Sequence, residues 1–267
     1  MGKLQKIKLY LQDFWRYRYL VRYLINRDFT LKYRRSVLGV VWSVLNPLLM
    51  SLVMYVVFSS MFDTRGAGID NFAVFLLIGQ ILFGLFNEAT GSAMQSVLGG
   101  AGLLRKVYIP KYIFPLEKVC FALVNCLFSL VALVILMVFT GCPFYWTSLL
   151  CFYPVLTLFV FSLGVGLFLA MATVFFRDII HIWGVFCTAL MYFSAIFYNP
   201  EQLSGNLQQI IHFNPLYWYI TAFRRTVLDG LPLTGNMVAV CGGCAVVSLV
   251  FGLLTFRHKQ DQFVLHL

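Results

Sequence analysis

The stretch Ile113-Phe-Pro-Leu-Glu-Lys-Val-Cys-Phe-Ala-Leu-Val-Asn-Cys-Leu-Phe-Ser-Leu-Val-Ala-Leu-Val-Ile-Leu-Met-Val-Phe-Thr140 decides the fold class. From Val119 onward it carries no charged residue, and it ends at Gly141 and Pro143. A helix needs about 20 mostly apolar residues to cross the hydrocarbon core of a bilayer. The stretch therefore predicts a membrane-spanning helix.

The composition of the whole chain extends this interpretation. Hydrophobic residues make up 61% of the 267 positions and charged residues 11%. Soluble domains are usually about 45–50% apolar and about 25% charged. A chain this apolar cannot cover its surface with polar groups, and it leaves no long polar stretch for a soluble catalytic domain.

Six apolar runs approach or reach the length of a span, so we expect an all-α membrane protein with six transmembrane helices. The second run starts at Phe72 and fades beyond Asn87. The other five are Leu38–Phe62, Ile113–Thr140, Leu149–Phe176, Ile179–Tyr198 and Met237–Phe256. In the fourth run, Ser162, Gly166 and Ala170 form a ridge of small residues that is typical of close helix packing.

The basic residues orient the spans. Ten of the 20 Lys and Arg residues lie between Lys3 and Arg35, and seventeen lie in segments that an internal N-terminus would place in the cytoplasm. The three others are Arg65, Arg224 and Arg225. Cytoplasmic loops carry an excess of basic residues. We therefore expect both termini to be cytoplasmic, and we assign the net charge of +10 to the membrane surface rather than to nucleic acid.

Three segments do not look like simple spans. Residues 1–37 alternate basic with apolar residues at helical spacing, which predicts an amphipathic cytoplasmic helix in the membrane interface. Within the transmembrane domain of residues 38–267, residues 88–112 form the longest cytoplasmic loop. Residues 199–236 form an external segment with helical patches on either side of Asn214-Pro215, which predicts re-entrant half-helices.

Catalytic chemistry is sparse in this sequence. ATP hydrolysis would need a glycine-rich phosphate loop ending in Lys-Ser or Lys-Thr, whereas the only Gly-Lys pair, Gly2-Lys3, is followed by Leu. The acids are scattered, which disfavours a membrane transferase. Among the seven cysteines, Cys241 and Cys244 form one Cys-x-x-Cys pair, but no second ligand pair accompanies it. We expect no metal site and no cofactor on this chain.

A motif before the first span carries a family resemblance. It reads Arg27-Asp28-Phe-Thr-Leu-Lys-Tyr-Arg-Arg-Ser-Val-Leu-Gly-Val-Val-Trp-Ser-Val-Leu-Asn-Pro-Leu-Leu49. The order Arg-Asp, basic-aromatic stretch, Leu-Gly, Trp and Pro-Leu-Leu resembles ABC-2-type permeases, and more narrowly bacterial exporters of O-antigen, teichoic acid and capsule. Three later stretches agree with that family: Leu104 to Pro110, Phe176-Arg177-Asp178, and Asn214-Pro215 with Ala222-Phe223-Arg224.

This resemblance implies a transport role and its partners. The chain would be the permease subunit of an exporter in the bacterial plasma membrane, working as a homodimer with two copies of a separate ATPase that binds ATP and Mg. Its cargo would be an undecaprenyl-type lipid-linked polysaccharide. A drug or lipid exporter of the same superfamily is the alternative, and a membrane-embedded transferase is a more distant one.

The contact with the ATPase would lie in two cytoplasmic segments, although both segments would also suit anchoring to lipid headgroups. The resemblance favours coupling. The candidate coupling residues are Asp28, Tyr33, Arg34, Arg35, Leu103, Arg105, Lys106, Ile109, Pro110 and Lys111.

Aromatic residues at helical spacing are candidates for the transport path, because sugar rings stack on aromatic faces. Lipid-facing aromatics would show the same pattern. The candidates are Tyr55, Phe58 and Phe62 in the first span, and Phe186, Tyr192, Phe193 and Phe197 in the fifth.

Four further charges have open or alternative roles. Arg224 and Arg225 could meet a pyrophosphate, an acidic polymer or lipid headgroups. Glu117 has Lys118 and Lys111 as candidate partners for a structural ion pair, whereas Glu88 has no partner nearby in the sequence.

Overall fold

The computed structural model describes residues 3–61, 71–104, 109–199 and 205–263, with the side chains of residues 3–16, 60–61, 104 and 206–207 outside the description. All regular structure in these ranges is helical. The α-helices are α1 (Lys3–Tyr33), α2 (Trp42–Met61), α3 (Phe72–Gly99), α4 (Ala101–Leu104), α5 (Ile113–Thr140), α6 (Phe152–Phe175), α7 (Ile179–Phe193), α8 (Asn206–Phe213), α9 (Pro215–Val227) and α10 (Gly235–Lys259).

Five helical stretches are long and apolar enough to cross a membrane. They are Gly39–Ser59, Phe72–Leu103, Ile113–Thr140, Trp146–Phe175 and Gly235–Gln262. In a bilayer only helices and closed barrels satisfy all backbone hydrogen bonds internally. The all-α class and the multi-pass membrane architecture are therefore confirmed.

The second span is longer than predicted. We expected it to fade beyond Asn87 and residues 88–112 to form a loop, but α3 continues to Gly99. The polar side chains of this part bond within the protein: Thr90 donates to the carbonyl of Phe86 (2.8 Å) and Ser96 to that of Ala93 (2.6 Å). Because these groups are satisfied, they do not end the helix.

The fifth predicted span is shorter than expected. Its helix, α7, has 15 residues, which at 1.5 Å per residue is about 22 Å, less than the roughly 30 Å of the hydrocarbon core. The chain leaves the helix at Ser194, and Ala195 takes a positive φ of 52°. Asn214 holds this break, since its amide donates to the carbonyl of Phe193 (3.1 Å) and to Ser194 Oγ (2.9 Å).

The segment of residues 199–236 contains the two helical patches that the sequence predicts. Asn214 separates α8 from α9, and its side-chain oxygen accepts a hydrogen bond from the backbone N–H of Leu216 (3.0 Å), which caps α9. Tyr219 and Phe223 of α9 are fully buried, whereas Phe213 at the end of α8 is 86% exposed. The segment is therefore anchored in the core through α9.

Two glycines let α6 and α10 cross closely. A Cβ atom added at Gly252 of α10 would lie 2.1 Å from the carbonyl oxygen of Gly164 of α6, and one added at Gly164 would lie 2.3 Å from the backbone of Ser248. The predicted small-residue ridge packs elsewhere, because a Cβ at Gly166 would meet Ala93 of α3 at 2.9 Å. Small residues thus let α6 approach two neighbours on two faces.

Replacing Gly252 by Ala should destabilise the protein, because the added methyl group meets backbone that cannot rotate away. Overpacking of this kind costs about 1–3 kcal/mol. Gly243→Ala on the same helix is the matched control, since nothing lies within 4 Å of its added Cβ. Thermal unfolding in detergent should show a lower midpoint for Gly252→Ala alone, and equal midpoints would contradict this account of the crossing.

Candidate functional site

The second half of α1 packs on the start of α5. Leu24 is 3% exposed and lies in one apolar cluster with Ile109, Ile113 and Phe114, which Leu103 also touches. The two segments predicted to contact an ATPase therefore form a single unit. We call residues 17–35, 103–104 and 109–118 the coupling unit. Arg105 and Lys106 belong to the same prediction but lie outside the described residues.

An ion pair fixes α1 to α5 within the coupling unit. Asp28 accepts a hydrogen bond from Lys118 Nζ, and Arg27 donates to the same carboxylate at 3.0 and 2.9 Å. Burial alone would raise the pKa of Asp28, but the hydrogen bonds from Lys118 and Arg27 lower it below its ordinary value. Asp28 is therefore an ionised internal anchor of the coupling unit.

Lysines on either side of the start of α5 have different partners. Lys118 Nζ lies 3.4 Å from Glu117 Oε2, so the predicted pairing of these two residues is confirmed. The alternative pairing of Glu117 with Lys111 is wrong, because Lys111 Nζ donates to the carbonyl of Gln260 and lies 5.5 Å from the Phe263 ring. Lys111 thus ties the coupling unit to the end of α10.

The remaining predicted coupling residues differ in exposure. Arg34 and Arg35 are exposed, so their charges are available to a partner or a headgroup. Tyr33 is half-buried, and its hydroxyl forms a hydrogen bond with Ser43 Oγ at the start of α2. Ile109 is buried and Pro110 half-buried, which gives them packing roles inside the unit.

Glu88, whose role the sequence left open, has partners from two other helices. Its Oε1 accepts a hydrogen bond from Asn125 Nδ2 (2.6 Å) and lies 3.4 Å from Lys32 Nζ. Sequence reasoning missed Lys32 and Asn125, although a lone Asn inside the apolar run of α5 was a signal. The contact joins α1, α3 and α5.

The candidate path aromatics form one group across α2 and the end of α7. The Phe58 and Phe197 rings stack with centroids 5.1 Å apart, and Tyr192 lies 6.2 Å from Phe197. Tyr55 and Tyr192 are exposed on the single chain. This group leaves two large aromatic surfaces open to a partner, a lipid or a cargo.

One candidate path residue departs from the predicted arrangement. The shared helical face of Phe186, Phe193 and Phe197 is wrong for Phe197, because α7 ends at Phe193 and Phe197 is 7% exposed in the turn beyond it. Phe186 lies in α7 and contacts Trp183, with ring centroids 5.2 Å apart. Phe193 is exposed, and Phe62 lies outside the described residues.

Arg224 is not a surface residue. Its guanidinium donates to the carbonyls of Ala195 (2.8 Å), Ile196 (3.0 Å) and Phe75 (3.1 Å), and it lies over the Phe75 ring. With 7% of the residue exposed, Arg224 does not reach a headgroup or a pyrophosphate, so that prediction is wrong. Arg225 is half-exposed and donates to the carbonyl of Pro232 (2.9 Å).

The sequence matches the ABC-2 type transporter family over residues 19–228, which runs from the coupling unit through α9. The chain belongs to this family. The match includes both the α1–α5 contact and the buried Arg224, so the family covers the described site and four of the five candidate spans.

Named relatives extend over most of the chain. An O-antigen export system permease protein of Klebsiella pneumoniae is 25% identical, covering 89% of this chain and 91% of its own. A protein of the same description from Myxococcus xanthus is 24% identical over 94% and 96% of the two chains. A polysialic acid transport protein of Escherichia coli is 22% identical over 90% and 93%.

Arg224→Lys should weaken the fold, because a single ammonium cannot bridge carbonyls from α3 and from the turn after α7. Hydrogen bonds to charged groups contribute about 1.5–3 kcal/mol each, so we expect a loss of about 3 kcal/mol in unfolding free energy. Arg225→Lys should change it little. Unfolding by sodium dodecyl sulfate in mixed micelles measures both, and equal losses would contradict the bridging role.

Proposed function

We propose that this chain is the permease subunit of an ATP-driven exporter that moves a lipid-linked polysaccharide out of the cytoplasm. The observation that carries the proposal is the family match over residues 19–228 together with relatives named for O-antigen and polysialic acid export. These relatives align along nearly their whole length, so the likeness is not confined to one motif. The polysaccharide is of the O-antigen, teichoic acid or capsule type on an undecaprenyl-type carrier.

The energy comes from a separate subunit. The sequence has no phosphate loop, so ATP and Mg bind to an ATPase partner in two copies, and this chain itself is neither an enzyme nor a cofactor carrier. The coupling unit suits the contact, because exposed Arg34 and Arg35 lie next to an anchored, rigid packing of α1 on α5. Closure of the ATPase then displaces α1 and α5 together.

The path of the cargo lies between two copies of this chain. Among the α2 residues whose side chains are described only Ser51 is buried, and in α7 only Cys187 is buried. A second copy would cover much of this apolar surface, and Tyr55, Phe58, Phe186, Tyr192 and Phe193 would face a channel between the copies. Sugar rings can stack on such aromatic surfaces.

The topology follows from charge and length. We propose six crossings in the bacterial inner membrane, with α7 and residues 194–199 forming the fifth and both termini in the cytoplasm. α8 and α9 are re-entrant on the external side, with α9 held in the core by Arg224. The basic residues concentrated before α2 support this orientation.

The isolated chain in nanodiscs should hydrolyse no ATP, whereas its complex with the ATPase subunit should hydrolyse it.

The double variant Arg34→Glu with Arg35→Glu should reduce the amount of ATPase subunit that copurifies with the chain, because the coupling unit loses its exposed positive charge. Arg225→Glu, on the opposite side of the membrane, is the control and should keep the partner.

Cells that lack this gene should regain surface polysaccharide with the wild-type chain and not with the double variant. ATP hydrolysis by the isolated chain would contradict the proposal. Retention of the ATPase by the double variant would reassign Arg34 and Arg35 to lipid headgroups. Restored drug resistance without surface polysaccharide would favour a drug exporter.

A further inference from the structure

A polar recess opens where the end of α1 meets the start of α2 and the middle parts of α3 and α5. Its volume is about 410 Å³, within the range of roughly 300–1,000 Å³ that is usual for ligand pockets. The lining side chains that matter here are Lys32, Trp42, Asn46, Glu88, Asn125 and Ser129. Polar groups at this depth of an apolar helix bundle are costly unless they have partners or a role.

One lining group has no partner within the described part of the chain. Asn125 is 7% exposed, and its amide nitrogen donates to Glu88, but its side-chain oxygen accepts no hydrogen bond. Buried polar atoms are nearly always satisfied by protein groups or by ordered water. The oxygen of Asn125 therefore still needs a hydrogen-bond donor, which the described part of the chain does not supply.

The charges in the recess favour a neutral ligand. Lys32 and Glu88 carry opposite charges 3.4 Å apart, and the Glu88 side chain is 34% exposed. A phosphate would be attracted by Lys32 but repelled by the carboxylate beside it. A polyol suits both residues, because each hydroxyl can donate to a carboxylate or amide oxygen and accept from an ammonium or amide group.

Trp42 adds an aromatic surface to these polar groups. It is 39% exposed at the start of α2, next to Asn46 one helical turn on. Sugars combine a ring face that stacks on aromatics with hydroxyls that need both donors and acceptors. We propose that the recess binds a sugar residue of the exported polysaccharide, an inference that rests on the exporter function proposed above.

The recess also touches the coupling unit. Lys32 lies one helical turn after Asp28, the residue that anchors α1 to Lys118. A sugar held between Lys32 on α1 and Glu88 on α3 would link cargo occupancy to the position of α1. The site is therefore a place where the cargo is sensed before transport.

Binding can be measured by saturation-transfer NMR on the full complex in nanodiscs, with neutral methyl hexosides and methyl N-acetylhexosaminides as probes. Asn46→Ala and Glu88→Gln should each weaken glycoside binding about fivefold, the effect of one lost hydrogen bond. Asn46 is exposed, so its replacement should not disturb folding. Asn236→Ala, exposed at the start of α10, is the control and should bind as the wild type.

Several outcomes would overturn the sugar site. These are the absence of glycoside binding, equal binding by wild type and both recess variants, and displacement of the glycoside by inorganic pyrophosphate or glycerophosphoethanolamine. A cellular assay separates this proposal from the exporter function. If wild type and both variants restore surface polysaccharide equally, the sugar site is wrong and the exporter stands. If wild type restores none, the exporter assignment is wrong.

Discussion

A charged group packed among apolar helices must find a partner there, and this constraint fixes α1, α3 and α5 relative to one another. Lys118 meets Asp28 and so holds α1 against α5. Glu88 meets Asn125 and Lys32 and so joins α3 to α5 and α1. Apolar packing against lipid has little preference for one neighbour over another, whereas these polar contacts are specific.

The same contacts connect α1, the segment before α5 and the end of α10 to one another. The apolar cluster around Leu24 and the ion pair at Asp28 join α1 to the segment before α5, and Lys111 extends the connection to Gln260 beyond α10. A force on the exposed basic end of α1 would therefore move several helices together. This is the property that a permease without its own phosphate loop requires.

Much of the fold could be predicted from the sequence because apolar length and charge asymmetry are local properties. Asn214-Pro215 likewise marks the start of α9 by local turn chemistry. The contacts of the functional site were harder to predict. Lys32 and Asn125 lie 56 and 37 positions from Glu88, and no spacing rule links them. Arg224 looks like an external charge in sequence, and only the fold places three carbonyls around it.

Coupling requires that α1 and the segment before α5 face the ATPase. A photoreactive benzoylphenylalanine at Leu103, in the coupling unit, tests this directly in the assembled complex. The control carries the same group at Phe139, which is 84% exposed near the opposite end of α5. We predict an adduct with the ATPase from Leu103 and none from Phe139, whereas an adduct from Phe139 alone would contradict the account.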